Sequence, residues 1–284
     1  LLVTSRMDQV LALDPVRRFA WVQPGLVNAR LSEAAAPHGL GFAPDPSSQP
    51  VSTLGGNVAA NAGGPHCLKH GVTANHVLGL VVVLHDGAVV TLGGEALDAP
   101  GSDLASVVTG SEGTMGVLCE LCLRLEPRPE SVHTMSCDFA AVADACRAVS
   151  AVIAAGIVPA AMELMDRQTT ALVEQWLHLG LPLDAGAVLV VEVDGPAVGL
   201  PAQIERIQAI ARAHGARSVR AAGDAAERAA LWRGRKSAFG AYGRTGRSFN
   251  LMDGTVPRSR LAEAAAAVEA LARARGLAVG TLMH

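Results

Sequence analysis

Through the first 125 positions, short apolar runs alternate with turn residues. Residues 1–3, 10–13, 20–22, 78–84 and 88–92 are each bounded by Gly, Pro, Asp or Asn, a pattern that predicts strands. Residues 26–36 carry Leu26, Ala29, Arg30 and Glu33 at helical spacing between Pro24-Gly25 and Pro37-His38-Gly39, which predicts one early helix. Asp86-Gly87 between two β-rich runs predicts a tight hairpin, and residues 117–125 predict another strand. The segment Leu125-Glu-Pro-Arg-Pro-Glu130 then breaks the pattern, and its two prolines place a boundary near Arg128. Downstream the texture changes to strand 131–139, helix 140–155, strand 160–164, helix 167–178, strand 187–193, helix 198–214 and strand 217–221. This is the order of a β-α-β-β-α-β type of layer. Two alanine-rich helices follow at 224–240 and 258–275, the last opening after Pro257 and closing at Gly276.

At 284 residues the chain exceeds the size at which one core stops growing. Two domains are expected, 1–127 and 128–284. Half the residues are apolar and 17% are charged, the composition of a well-buried globular protein. A formal charge of -3, with Lys and Arg scattered among few aromatics, argues against nucleic acid. The apolar stretch 77–84 is far shorter than the ~20 residues of a spanning helix. Five cysteines at irregular spacing point to a reducing compartment, so a cytoplasmic location is expected. The chain opens on Leu1-Leu2-Val3-Thr4 without an initiator Met, which reads as internal to a longer product. Cys119-x-x-Cys122 has zinc-ribbon and redox spacing. On a strand, however, residues three apart face opposite ways and no second such pair follows, so these are read as core cysteines.

Two glycine-rich stretches carry the candidate chemistry. Residues 53–65, TLGGNVAANAGGP, hold four glycines and two asparagines without bulky side chains, and read as a loop that offers its backbone to a large polar ligand. Residues 109–116, TGSEGTMG, repeat the theme directly before a strand, so the two suggest two sides of one cofactor. Neither has the G-x-G-x-x-G spacing of a dinucleotide fold or a Walker lysine. A packing role for the glycines is the competing explanation.

With PDPSS at 44–48, TLGGNVAANAGGPHCLKHG at 53–71 and GSEGTMG at 110–116, the chain resembles the FAD-linked 2-hydroxy acid oxidases and dehydrogenases. This family includes the FAD-binding subunit of glycolate oxidase and the D-lactate dehydrogenases. The resemblance implies an α+β protein: a vanillyl-alcohol-oxidase/p-cresol-methylhydroxylase type FAD-binding domain, then a ferredoxin-like α+β substrate domain. It implies that Pro44, Asp45, Ser47, Ser48, Thr53, Gly55, Gly56, Asn57, Asn61, Gly63 and Gly64 contact or shape the FAD site, with Glu112 and Gly113 on its other side. Relatives carry Tyr where this chain has His70, which is read as a packing or hydrogen-bonding residue. The family's first phosphate-binding loop would precede Leu1.

Oxidising a 2-hydroxy acid requires a cation for the carboxylate and a base or metal for the hydroxyl. Trp232-Arg-Gly-Arg-Lys236 concentrates cations beside an aromatic, which suits a carboxylate but equally a solvated helix face. The resemblance matches Arg235 to the substrate-carboxylate arginine, with Lys236 and Arg233 as weaker candidates. It also aligns Gly280-Thr-Leu-Met-His284 with the start of an H-x-G-D-G-N-x-H motif, making His284 a catalytic or divalent-metal (Zn, Mn or Fe) ligand. The expected function is FAD-dependent oxidation of glycolate or D-lactate, with D-2-hydroxyglutarate as nearest competitor and a flavin-binding subunit without turnover as the alternative. Expected partners are iron–sulfur and second flavin-type subunits that hold the protein in the cytoplasm or peripheral to the inner membrane.

Overall fold

The computed structural model describes residues 2–96, 100–246 and 248–284. The chain divides into two compact units, Leu1–Arg128 and Pro129–His284.

The first unit is built on an antiparallel sheet of β1 (Val10–Asp14), β2 (Phe19–Val22), β4 (Val77–Val83), β5 (Val89–Gly93) and β6 (Val117–Arg124), in the order β1-β2-β6-β4-β5. Two short strands, β3 (Leu40–Gly41) and β7 (Glu126–Pro127), pair separately. Alternation along the strands sorts the side chains. Ala20, Val22, Leu80, Val82, Leu121 and Leu123 enter one core with α1 (Asn28–Ala35), α2 (Leu54–Ala60) and α4 (Leu104–Val108), while Phe19, Leu78 and Cys122 form a second cluster. The remaining helix, α3 (Cys67–His70), is a single turn. The predicted hairpin is present between β4 and β5: Gly87 takes φ 83° and the Asp86 carboxylate accepts the Ala88 amide at 3.0 Å. Burial pushes the Cys122 thiol up to about 12, as befits a core residue rather than a redox one.

The second unit follows β8 (Ser131–Phe139), α5 (Val142–Ala154), β9 (Ala161–Asp166), α6 (Arg167–Leu177), β10 (Ala187–Gly195), α7 (Leu200–Ala213) and β11 (Ala216–Ala221). Then come α8 (Ala225–Lys236), α9 (Ala238–Gly243), α10 (Leu261–Arg275) and β12 (Leu282–Met283). Its sheet is antiparallel in the order β11-β8-β10-β9-β12, so β10 lies between β8 and β9, and β8 between β10 and β11. This is the split β-α-β arrangement expected, with α6 inserted between β9 and β10 and β12 added at the edge. Residues 161–165 and 187–193 are buried throughout. Helices α5 and α7 pack on one side, and Met165 on the other side meets Val173 of α6 and Ala238 and Ala241 of α9. Asp166 ties two pieces together: one oxygen caps α6 through the Thr169 amide and the other accepts the Thr281 amide, both at 2.8 Å.

Three expectations fail. Residues 2 and 3 form no strand: Leu2 and Val3 stand in solvent, and Leu1 lies outside the described residues. The stretch 53–64 is not simply a loop, because Leu54–Ala60 is a helix capped by the Thr53 hydroxyl; Leu54 and Val58 are buried one turn apart, and that packing overrides the low helix propensity of Gly55 and Gly56. The predicted helix 224–240 is two helices, broken at Ser237.

A Cβ on Gly280 would land on the Tyr242 hydroxyl, which is held in turn by Thr169 Oγ1 at 2.9 Å. Gly280→Ala is therefore expected to destabilise the protein by roughly 1–3 kcal/mol through overpacking, read as a lower denaturation midpoint; an unchanged midpoint contradicts this packing. Cys122 and Cys137, whose thiols burial raises to about 12, are expected to resist alkylation near neutral pH until the protein is unfolded, as mass spectrometry of labelled peptides will show.

Candidate functional site

In the first unit the two glycine-rich stretches meet. The Gly110 amide donates to the Val58 carbonyl and the Glu112 amide to Ala59, both at 2.9 Å, so the 110–113 turn is anchored on the C-terminal half of α2. That turn needs three left-handed residues, Gly110 at φ 83°, Glu112 at 52° and Gly113 at 75°; glycine adopts this geometry without strain, and Glu112 does so at a cost. Glu112, Gly113 and Gly56 are exposed, which leaves a ledge low in side chains where a polar ligand can approach the main chain.

Behind the ledge the other predicted residues serve as its frame. Asn28, fully buried on α1, donates through Nδ2 to the Asn57 side-chain oxygen at 2.9 Å and to the Pro44 carbonyl at 3.1 Å. Gly55 backs onto Pro24, whose Cβ would stand 2.5 Å from an added Cβ, and its amide donates to the Pro24 carbonyl at 2.8 Å. Asn61, left-handed at φ 48°, accepts the Ala74 amide at 2.9 Å. Gly63 and Gly64 close against Cys67 and the Asp45 backbone. The Asp45 carboxylate lies 2.9 Å from His66 Nδ1, while Ser47 and Ser48 are exposed on a turn. His70 contributes its carbonyl to His76 Nε2 at 3.0 Å; burial holds His76 below the usual histidine range, which makes this a packing arrangement. Asn28 was not singled out from the sequence, since within an amphipathic helix it is indistinguishable from a surface asparagine.

In the second unit the candidates collect on one face of the sheet. The register places Glu163 opposite Val190 and Glu192 opposite Thr134, so both carboxylates point to the same side. Both are buried, Glu163 completely. Helix α8 crosses above them with Trp232 and Arg235 three residues apart on one helical face. Trp232 Nε1 donates to Glu192 Oε2 at 2.5 Å, alongside Thr134 Oγ1 at 2.5 Å, and Arg235 Nη2 lies 2.6 Å from Glu163 Oε2. Arg235 is 6% exposed, which overturns the solvated-face explanation for it; Arg233 is the exposed one. The buried Nε of Arg235 finds no hydrogen-bond partner among the described residues. Lys236 Nζ sits 5.9 Å from the centre of the Trp232 ring. His284 continues β12 from Met283, which pairs with Leu164, and the register carried on by one residue brings it level with Glu163. Burial and the adjacent Arg235 charge hold His284 below the usual histidine range.

Glu163 and Glu192 were missed in the sequence. The signal was there: each is a lone carboxylate in an apolar strand, Ala-Met-Glu-Leu-Met and Val-Val-Glu-Val. Among the described residues no three His, Cys, Asp or Glu side chains gather to hold a metal, and the cation beside His284 opposes one. The residues present do not make up a metal site.

Residues 1–93 match the FAD binding domain and residues 128–284 match the C-terminal domain of FAD linked oxidases. The chain is 43% identical over its whole length to the glycolate oxidase subunit GlcD of Escherichia coli strain K12, covering 57% of it, and 38% identical to the GlcD of Bacillus subtilis, covering 60%. A D-lactate dehydrogenase of Archaeoglobus fulgidus is 34% identical over 61% of this chain and 39% of its own length. The chain thus spans a little over half the length of the GlcD relatives it matches. A solved alkyldihydroxyacetonephosphate synthase shares the fold, with TM-score 0.67 at 21% identity over 84% of this chain and 45% of that one. The chain belongs to the FAD-linked oxidase family, with residues 128–284 as its C-terminal domain.

Proposed function

We propose that the protein to which this chain belongs oxidises a small D-2-hydroxy acid, glycolate or D-lactate, to the 2-oxo acid with FAD as acceptor. The observation that carries this reading is the Arg235 guanidinium: buried, fixed by Glu163 on one side, and with an unpartnered Nε–H, in a chain 43% identical to a glycolate oxidase subunit. In this reading residues 1–127 belong to an FAD-binding domain and residues 128–284 to a substrate domain.

Bound FAD would supply the hydride acceptor for the substrate α-carbon. The ledge of Gly56, Glu112 and Gly113 would hold it through the main chain, framed by Pro44, Asp45, Thr53, Gly55, Asn57, Asn61, Gly63 and Gly64, with Ser47 and Ser48 as exposed hydroxyl donors. Arg235 binds the substrate carboxylate through its planar donors, and Lys236 on the same helix adds positive charge. His284, whose pKa is lowered by desolvation and the Arg235 charge, is suited to accept the hydroxyl proton. Among the described residues His284 stands without two further ligands that could complete a divalent-metal site. The relatives named as glycolate oxidase subunits support partner subunits; in this reading those partners are iron–sulfur and flavin-type subunits that carry the electrons away. No helix among the described residues is long and apolar enough to cross a membrane.

Purified full-length protein is expected to be yellow with FAD and to reduce a dye with glycolate or D-lactate in preference to D-2-hydroxyglutarate; a colourless protein that FAD cannot reconstitute sinks this reading. Arg235→Ala should raise KM for the hydroxy acid roughly 10- to 100-fold, the loss of about 1.5–3 kcal/mol for a charged hydrogen bond. Gly56→Leu, on the exposed side of α2, should weaken FAD binding on the order of tenfold (about 1.4 kcal/mol) while leaving the denaturation midpoint close to wild type. Equal FAD affinity in that variant would remove Gly56 from the site.

A further inference from the structure

A carboxylate enclosed in an apolar strand is costly unless a partner of opposite charge stays on it. Glu163 is such a group: its β9 neighbours are Ala161, Met162, Leu164 and Met165, and none of its surface reaches solvent. The sheet face holds a second carboxylate, Glu192, but the two have different donors from the same helix. Glu192 takes the Trp232 indole and the Thr134 hydroxyl, whereas Glu163 faces the Arg235 guanidinium. Trp232 and Arg235, three residues apart on α8, thus reach Glu192 and Glu163 from one helical face.

A guanidinium is planar, and fixing one of its nitrogens against a carboxylate fixes the direction of the others. Arg235 Nη2 lies 2.6 Å from Glu163 Oε2 in a buried ion pair; Nε–H lies on that same edge of the guanidinium, so the edge that carries Nη1 is the one left for a second anion. A buried donor left without an acceptor is costly, and a second anion delivered to that edge removes the cost. We infer that Glu163 is a positioning residue for the reaction: it holds the Arg235 plane so that the Nη1 edge meets the substrate carboxylate in one orientation. This rests on the reading of Arg235 as the carboxylate binder. It also opposes a purely electrostatic view, in which Glu163 merely quenches the arginine and its removal tightens substrate binding.

The test is a double-mutant cycle on the full-length flavin-loaded enzyme, with kcat and KM for the hydroxy acid measured in wild type, Glu163→Gln, Arg235→Lys and the double variant. Glu163→Gln, isosteric but neutral, is expected to lower kcat/KM at least tenfold with a raised KM. Glu163→Asp, charged but shorter, should fall between it and wild type. With lysine at position 235 the Glu163→Gln change should cost less than threefold, because no plane remains to be set. If Arg235→Lys leaves kcat/KM unchanged, the carboxylate reading itself fails. If Arg235→Lys is impaired but Glu163→Gln is not, or Glu163→Gln lowers KM, the positioning role alone is overturned. It is overturned equally if the Glu163→Gln loss is the same in both backgrounds, or if neither Glu163 variant loads flavin, since the pair is then only a folding element.

Discussion

The constraint on which the second unit depends is the placement of Glu163, a carboxylate with no solvent contact in the middle of a sheet. Such a group has to be matched, and Arg235 matches it at 2.6 Å. The consequences spread outward. Helix α8 must pack beside β8 and α6 with its Trp232 and Arg235 edge toward the two carboxylates, and the chain must break at Ser237 so that α9 can bring Ala238 and Ala241 onto Met165. The C-terminal strand then completes the sheet edge beside β9, fastened by the Asp166 carboxylate to the Thr281 amide. His284 arrives beside the arginine as a result of register. An ion pair of this kind adds little net stability against apolar residues of the same shape, so its presence is better understood through what the arginine does than through what the pair stabilises.

The first unit solves a different problem, which is to expose backbone without losing order. Helix α2 is only seven residues long and carries two adjacent glycines, so it cannot persist alone. It is held by Leu54 and Val58 in the core, by the Gly55 amide on the Pro24 carbonyl, and by the Gly110 and Glu112 amides on the Val58 and Ala59 carbonyls. The asparagine pair Asn28 and Asn57 satisfies buried polar groups underneath. What remains on the outside is a surface of glycine and main chain that is rigid and low in side chains. Such a surface suits a large polar cofactor, since the order is established before the ligand arrives.

Periodicity made the strand order and most helices legible, because alternation in 10–22, 77–93 and 117–124 and helical spacing in 142–154 and 200–213 are local properties. The motif residues made the family legible. Two things were not. The helical state of 54–60 depends on Leu54 and Val58 finding a core, whereas its local composition of Gly and Asn argues for a loop. The break at Ser237 depends on α9 packing, with Phe239 left in solvent. The roles of individual motif residues were also hidden: Gly55 and Gly64 are glycines because Pro24 and Asp45 leave no room for a Cβ, while Gly56 and Gly113 face outward. Glu163 escaped notice because a lone charge in an apolar strand resembles an edge-strand gatekeeper until the sheet order shows that residues 161–165 are covered.

The central claim is that Arg235, set by Glu163, is the group that receives the substrate carboxylate. A crystal structure of the full-length flavin-loaded protein with oxalate, an unreactive carboxylate, tests it most directly. The account predicts a carboxylate of oxalate within hydrogen-bond distance of the Arg235 guanidinium while Glu163 still holds Nη2. Oxalate bound at another cation, with Arg235 closed on Glu163 alone, would contradict it.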